Sequence, residues 1–403
     1  APLVRATVPW LPFFDVGTWV GIIGWWEVAI GVAFLFERTT RIAIALLFPV
    51  PFSWFYGDGA AGAFFLSAII SAGCGGLLYS QFRSGADLSL SEGFAVVTFG
   101  STYFALFGSL PFFFSGAIPS YLNAFFETMS GFTTTGSTIL TDIEAMPPSL
   151  LLWRSLTQWL GGMGIIVLSL AILPMLGVGG MQLFKAEVPG PTADRLKPRI
   201  QDTAKLLWGV YVLLTGAEVI LLMVGGMGFF DGINHAFTTM ATGGFSTRNA
   251  SVAAYDSAFI DWVITLFMFL AGVNFSLHYL ALRGKLGDFI RNEEFLFFSG
   301  LAILGTLLIT LLNMGGTYAD FFDNLRYSAF QAVSILTTTG FGTADYELWP
   351  VLCQYLLVFA MFIGGCAGST GGGMKVARIL LLFKHAHVQI YRLIHPRAVR
   401  LVK

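Results

Sequence analysis

The sequence predicts an all-α, polytopic membrane protein built from repeated helix–dip–helix units, and three observations predict it. First, 56% of the 403 residues are hydrophobic and only 11% are charged. A soluble chain carries about 25% charged residues, so this one lacks the groups to coat a water-facing surface. Second, apolar runs of the roughly 20 residues that a spanning helix needs recur along the chain. Third, a short polar segment closing on glycine recurs between pairs of those runs. The 40 Phe and 47 Gly also suit closely packed transmembrane helices.

Candidate spans lie at 16–36, 60–79, 94–114, 149–175, 205–227, 258–282, 295–314 and 349–383. A shorter one at 41–56 is interrupted by Pro49 and Pro51. The last is too long for one straight crossing and has glycines at its centre. Basic residues sort by loop. Lys185, Arg195, Lys197, Arg199 and Lys205 fall in 181–205, and Arg283, Lys285 and Arg291 in 283–294. Lys375, Arg378, Lys384, Arg392, Arg397, Arg400 and Lys403 fall in 375–403. These three segments are expected to be cytoplasmic by the positive-inside rule. The loops 138–148, 246–257 and 342–348 carry Asp142, Glu144, Asp256, Asp345 and Glu347 against Arg248 alone, and are expected to face outward.

On the outer side, each crossing is separated from its return by a segment too short to span: 120–137, 231–246 and 321–342. A re-entrant dip is the economical reading. Phe126 to Gly136 aligns without gaps on Phe330 to Gly340, sharing the Phe, a Ser and the closing Thr-Thr-Thr-Gly. The middle dip, Ala241-Thr242-Gly243-Gly244-Phe245-Ser246-Thr247, matches the third at Gly-Phe-x-Thr. The closing glycines 136, 244 and 340 are 108 and 96 residues apart, an internal repeat of about 100 residues.

The dips offer no carboxylate, imidazole or thiolate at their tips. They offer backbone carbonyls, and glycines that take conformations closed to other residues. Rings of backbone carbonyls that replace a hydration shell form potassium filters. Each preceding short helix aims the partly negative end of its dipole at the same point. The candidate filter residues are Thr134, Thr135 and Gly136; Thr242, Gly243 and Gly244; and Thr338, Thr339 and Gly340, with potassium at their carbonyls. An ordinary polar turn capping a hairpin explains one copy; it explains poorly three copies at matching topological positions.

The cluster Gly364, Gly365, Gly368, Ser369, Thr370, Gly371, Gly372 and Gly373, followed by Met374 and Lys375, breaks the last candidate span. Each helical glycine costs about 1 kcal/mol against alanine, and irregular backbone at membrane depth is tolerated only against protein or a water-filled cavity. A gate loop beneath the filter fits. A phosphate-binding loop does not, because Met374 intervenes before Lys375 and Val376 follows it. His385 and His387 read as a solvated face, and His235 and His278 as core histidines. Glu127 and Glu218 read as packed, satisfied groups. Cys74, Cys353 and Cys366 form no metal or disulfide pattern. With no acid–base or nucleophile arrangement the chain is not expected to be an enzyme. A net charge of −1 gives no reason to expect nucleic acid.

Met129-Ser-Gly-Phe-Thr-Thr-Thr-Gly136, Trp159-Leu-Gly-Gly-Met-Gly164, Gly180-Met-Gln-Leu-Phe184, Pro189-Gly-Pro191, Gly243-Gly-Phe-Ser-Thr247 and the 364–373 run closely resemble the Trk/Ktr/HKT potassium-transporter superfamily, in its bacterial TrkH branch. The likeness covers about residues 48 to 403. It implies a potassium-uptake subunit of the bacterial inner membrane, multi-pass in lipid, with four pore repeats around a pseudo-fourfold ion pathway. It implies K+ as the transported ion with no bound cofactor, and 364–373 as the intramembrane gate. It also implies a homodimer bound to a cytosolic nucleotide-binding regulatory subunit (TrkA-like). In plant relatives Ser at the first filter glycine goes with sodium permeation, so Gly136 favours potassium.

The expected organisation is an atypical membrane segment over 1–45, helices outside the repeats over 46–85, and pore repeats over 86–180, 181–290 and 291–385. A basic cytoplasmic tail follows over 386–403. Counting about 100 residues on from Gly340 places a fourth filter near position 440, so three repeats are expected in this chain. Residues 1–45 are faintly similar to DoxX-type small membrane proteins rather than to the family's first helix. The alternatives left open are a sodium-permeable or poorly selective relative, and a non-conducting fragment or assembly partner.

Overall fold

The computed structural model describes residues 42–81, 100–172, 196–314 and 317–395. Residues 1–41 of the atypical segment 1–45, the motifs 180–184 and 189–191, and the end of the tail lie outside the described residues. Two compact units divide the chain: Ala1–Met129 with Pro147–Trp153, and Ser130–Met146 with Arg154–Lys403.

In the first unit, α1 (Val50–Tyr56) begins with Pro near its first position and stops at Gly57, whose left-handed φ of 65° ends the helix. Next come α2 (Ala61–Gln81), a helical stretch over 100–108, and α3 (Leu110–Phe114). Phe64 meets the buried ring of Trp153 edge to face, and Trp153 donates its indole N–H to the Gly108 carbonyl at 2.8 Å. Asp58 accepts from the Ser149 and Ala60 amides at 2.9 and 3.1 Å.

Two helices run through the division: α4 (Tyr121–Phe132) and α5 (Pro148–Ile172). The second unit continues with α6 (Leu196–Val224), α7 (Phe229–Met240), α8 (Ala258–Ala271) and α9 (Phe275–Leu282). Then follow α10 (Gly287–Arg291), α11 (Glu293–Asn313), α12 (Phe321–Leu336), α13 (Val351–Phe362) and α14 (Val376–Ile394). No strand is present among the described residues; two isolated bridges, Met314–Tyr318 and Ile363–Met374, are the only β pairings there.

The three expected dips fall on helices α4, α7 and α12, each followed by an irregular extended segment, here called strands 1, 2 and 3 although none pairs in a sheet. Asp320 starts α12 by accepting from the Phe322 and Asp323 amides at 2.9 and 3.0 Å, a side-chain cap of the kind Asp favours. Tyr211, Phe267, Met268, Phe275, Phe298, Phe330 and Phe341 form the centre of the unit's core.

Thr203–Val224 and Glu293–Asn313 are each long and apolar enough to cross a membrane. The candidate span 258–282 is not one straight helix: α8 and α9 are bent by 103° at a short break. Asn274 causes the restart, because its side chain accepts from the Ser276 amide at 2.8 Å and caps a new helix. The candidate span 349–383 likewise divides at 363–375, where the glycines were expected to break it. Ile303, Leu304, Leu307, Leu311, Leu352 and Phe359 are exposed on α11 and α13. That much contiguous apolar surface belongs against lipid or protein, not water.

Candidate functional site

Helices α4, α7 and α12 end in the same motif. The amides of Thr134, Thr242 and Thr338 donate to carbonyls three residues back, at 2.8 to 3.0 Å, and the amides of Thr135, Gly243 and Thr339 donate to carbonyls five back, at 2.9 Å. This is the Schellman arrangement, whose left-handed position normally holds glycine. Here it holds threonine three times, with φ of 54°, 51° and 61°. A left-handed conformation costs an L-residue roughly 1–2 kcal/mol, and a β-branched residue suffers most. Two residues on, Gly136, Gly244 and Gly340 are left-handed again, with φ of 77°, 76° and 86°. The chain repeats one strained backbone path three times, which points to function rather than accident.

The strands lie edge to edge. A Cβ on Gly136 would overlap the Gly243 carbonyl oxygen, and a Cβ on Gly244 would overlap the Thr339 carbonyl oxygen. Strand 1 therefore touches strand 2, and strand 2 touches strand 3, through backbone alone. Gly340 has nothing within 4 Å of its Cβ position, and Gly340, Thr133 and Thr135 are exposed. The three strands thus touch in the order 1–2–3, and strands 1 and 3 carry exposed residues. Beyond them, Asn249 donates to Asp142 at 2.9 Å and accepts from the Ile143 amide at 2.7 Å, while the Ala253 amide donates to the Gly342 carbonyl at 3.1 Å. The loops that follow the strands are thus tied in the same order as the strands.

The strands differ in their bracing. Thr133 and Thr135 join hydroxyls at 2.8 Å across the left-handed Thr134, and Thr337 and Thr339 do the same at 2.8 Å across Thr338. Strand 2 has Ala241 and Gly243 at those positions and no hydroxyl to join. Instead Gln158, on α5, donates to the Gly243 carbonyl at 2.8 Å and accepts from the Phe245 amide at 3.2 Å. One turn earlier Arg154 donates to the Ser246 carbonyl at 3.1 Å and lies 3.5 Å over the Phe245 ring. Both α5 side chains are buried.

The glycine-rich segment leaves α13 and returns into α14 beneath strand 3. Its Gly372 amide donates to the Thr338 hydroxyl at 2.7 Å. The Thr370 hydroxyl reaches the Met240 carbonyl at 3.0 Å and the Ala271 carbonyl at 3.2 Å. The Cys366 amide donates to the Gly272 carbonyl at 2.8 Å, and the Ala367 amide to Glu294 at 2.6 Å. Gly364 and Gly365 are packed against the Gly372 carbonyl and the Gly272 backbone, where a side chain has no room. Lys375 folds back on the loop, with its ammonium at the Gly371 carbonyl and 3.5 Å from Ser369. The segment is a knot of hydrogen bonds, backbone to backbone at the α8–α9 break and through the Thr370 and Thr338 hydroxyls to the end of α7 and to strand 3.

The other singled-out residues divide. His235 is buried and fully bonded: Nδ1 lies 2.8 Å from the Asp231 carbonyl and Nε2 2.9 Å from the Ser246 hydroxyl. His278 meets the Leu270 carbonyl at 2.9 Å. No group of three or more metal-ligating side chains occurs among the described residues. Glu218 corrects the expectation of a satisfied group. Both its oxygens are buried, and its contact with Thr239 falls short of a hydrogen bond. The neighbouring Thr239 hydroxyl donates instead to the His235 carbonyl at 2.7 Å.

Sequence reasoning passed over Arg154 and Gln158, although two polar residues one turn apart in an apolar span are a functional signal by default. It also passed over a register. Glu127, His235 and Gln331 each stand nine residues before a closing glycine, and all three are buried. Gln331 donates to the Ala344 carbonyl at 3.0 Å, so in repeats 2 and 3 this position ties a short helix to the chain beyond its own strand.

Residues 61–403 match the family described as TrkH, a cation transport protein. The chain is 45% identical over 353 residues to the Trk system potassium uptake protein TrkH of Salmonella typhimurium, covering 86% of this chain and 73% of that one. It is 42% identical over 367 residues to TrkH of Halomonas elongata, covering 90% and 76%. Against TrkG of Escherichia coli the identity is 36% over 363 residues, covering 88% and 74%. The crystal structure of the potassium transporter TrkH from Vibrio parahaemolyticus superposes with a TM-score of 0.85 at 37% identity, covering 94% of this chain and 78% of that one. Dips, strained strands and glycine knot thus sit in a chain that matches one family from residue 61 to its last residue, and this protein belongs to the TrkH family of cation transport proteins.

Proposed function

We propose that this chain takes up potassium through a carbonyl-lined filter formed by its three strained strands. The observation that carries the reading is the left-handed threonine and left-handed glycine found at the same two positions of all three strands. The names of its relatives, potassium uptake proteins of the Trk system, support the ion. Thr134, Thr135 and Gly136, with Thr242, Gly243, Gly244, Thr338, Thr339 and Gly340, set the spacing of the oxygens, and a dehydrated K+ exchanges its water shell for them. A fourth unit of the same kind completes the filter, a reading that rests on the exposure of Gly340, Thr133 and Thr135.

The knot 364–373 with Lys375 is the gate. Its hydrogen bond to Thr338 and its bonds to Met240 and Ala271 hold it under the filter, so opening requires breaking them. We further propose that the protein sits in the bacterial inner membrane, dimerises, and meets a cytosolic nucleotide-binding subunit through its basic cytoplasmic segments.

The test is paired Rb+ and Na+ flux into vesicles, for the protein and for Gly340→Ser. The reading expects a flux ratio favouring Rb+ that falls in the variant, because serine is strained at a φ of 86°. An unchanged ratio counts against it. Equal Na+ flux in the unsubstituted protein would favour a poorly selective relative. No flux of either ion from inserted protein would favour an assembly partner.

A further inference from the structure

The second strand is the one whose sequence does least to hold its own shape. In strands 1 and 3 the residues on either side of the left-handed threonine are both threonines, and their hydroxyls join at 2.8 Å. In strand 2 those residues are Ala241 and Gly243, yet Thr242 takes the same left-handed φ of 51°. A backbone that costs roughly 1–2 kcal/mol per residue persists only where its surroundings over-determine it.

Gln158 supplies the determination from outside. A primary amide holds one donor group and one acceptor on a rigid plane. Here the acceptor carbonyl of Gly243 and the donor amide of Phe245 lie 2.8 and 3.2 Å from its two ends. Only one orientation of the amide satisfies both. Gln158 is fully buried, so neither bond competes with bulk water. The amide also explains the glycine: a Cβ at residue 243 would overlap the Gln158 side chain. Gly243 and Gln158 are therefore one device, in which the strand gave up its side-chain brace to let the neighbouring helix grip the backbone.

We propose that Gln158 is the specificity-determining positioning residue of the second filter strand, replacing with an inter-repeat clasp the threonine brace that strands 1 and 3 carry. It acts by fixing the Gly243 carbonyl, which lies against Gly136 of strand 1, so it sets the spacing between two strands at once. This rests on the filter reading above.

The experiment is the Rb+/Na+ flux ratio of the intact transporter in vesicles, for the wild type and four variants. Gln158→Glu keeps the size and the acceptor but cannot donate to the Gly243 carbonyl, and Gln158→Ala removes both bonds. Gln158→Glu is expected to lower the ratio about fivefold, the size of one buried hydrogen bond, and Gln158→Ala, which loses two, by about twenty-five-fold. Ala241→Thr with Gly243→Thr, in the presence of Gln158, is expected to lower it as well, by overlap. Adding Gln158→Ala to that pair restores the brace of strands 1 and 3, and the ratio is expected to recover.

A purely structural role would lower both fluxes together, leave the ratio alone and give no recovery. Because the ratio does not depend on how much protein inserts, poorly inserted variants still report. A selective wild type whose Gln158 variants keep its ratio overturns this inference alone. A wild type without Rb+ preference overturns the filter reading and this inference with it.

Discussion

Strands 1 and 3 close a hydroxyl bridge within their own three residues; strand 2 is gripped from α5 by Gln158 and Arg154. All three reach the same left-handed pair of residues, with φ values within about ten degrees of one another. The difference teaches where each strand's stability resides. In strands 1 and 3 it is local, and a substitution there loosens one strand. In strand 2 it is carried by a helix of the preceding repeat, so a change on α5 reaches a strand more than 80 residues away. That coupling runs through two discrete hydrogen bonds and needs no diffuse pathway.

The comparison can be broken most severely where the strands touch. Gly244→Ser adds a Cβ at a φ of 76° and drives it into the Thr339 carbonyl. Combining left-handed strain with steric overlap of about 3 kcal/mol in total, it is expected to lower Rb+ over Na+ flux about a hundredfold. Exposed Gly62, with nothing within 4 Å of its Cβ position, is the control and is expected to tolerate alanine. Equal effects at the two sites would contradict the edge-to-edge packing.

Loss of the local brace comes next. Thr339→Val keeps the shape of strand 3 and removes its bond to Thr337. One buried hydrogen bond is worth about 1 kcal/mol, which predicts a fall of roughly fivefold in the same ratio with little change at strand 2. A double-mutant cycle with Gln158→Ala sharpens this: additive effects within about 0.5 kcal/mol mean that the strands are braced independently, and strong coupling means that they are not.

Thr338→Ala removes the hydroxyl that accepts from Gly372. The expected outcome is a few-fold rise in the flux of the protein alone in vesicles, while the Rb+/Na+ ratio stays nearly constant. A changed ratio with unchanged basal flux would place Thr338 in the filter alone.

The smallest effect lies outside. The Asn249 amide beside Asp142 holds its carboxyl below the usual carboxylate range. A carboxyl depressed in the folded state adds stability that is present above its unfolded pKa and is lost as pH falls through the folded one. The tie between the loops 138–148 and 246–257 is therefore expected to loosen only in acid, below the ordinary Asp range. Asn249→Ala should flatten that dependence, measured as protease resistance of these two loops against pH.

Much of this was legible in the sequence. The alignment of 126–136 on 330–340 located two strands, and the Gly-Phe-x-Thr match located the third. The glycine run marked the break between α13 and α14 because helical glycine is costly. What escaped has physical reasons. The bend between α8 and α9 depends on Asn274 capping a helix inside an apolar run, a single side chain that hydropathy does not see. The Gln158 clasp joins residues 85 positions apart, and no periodicity connects them. Glu218 was misjudged because the Thr239 hydroxyl beside it turns to a backbone carbonyl, a choice made only in the packed structure. The shared register of Glu127, His235 and Gln331 was there to be counted, but three different side chains hid one position.

The central claim is that three strands with one backbone path form one ion site. It is tested most directly by locating Rb+ in the protein by anomalous diffraction. The account predicts a peak bounded by backbone oxygens of all three strands, among Thr134–Gly136, Thr242–Gly244 and Thr338–Gly340. A transporting protein whose Rb+ lies elsewhere, or against only one strand, would contradict it.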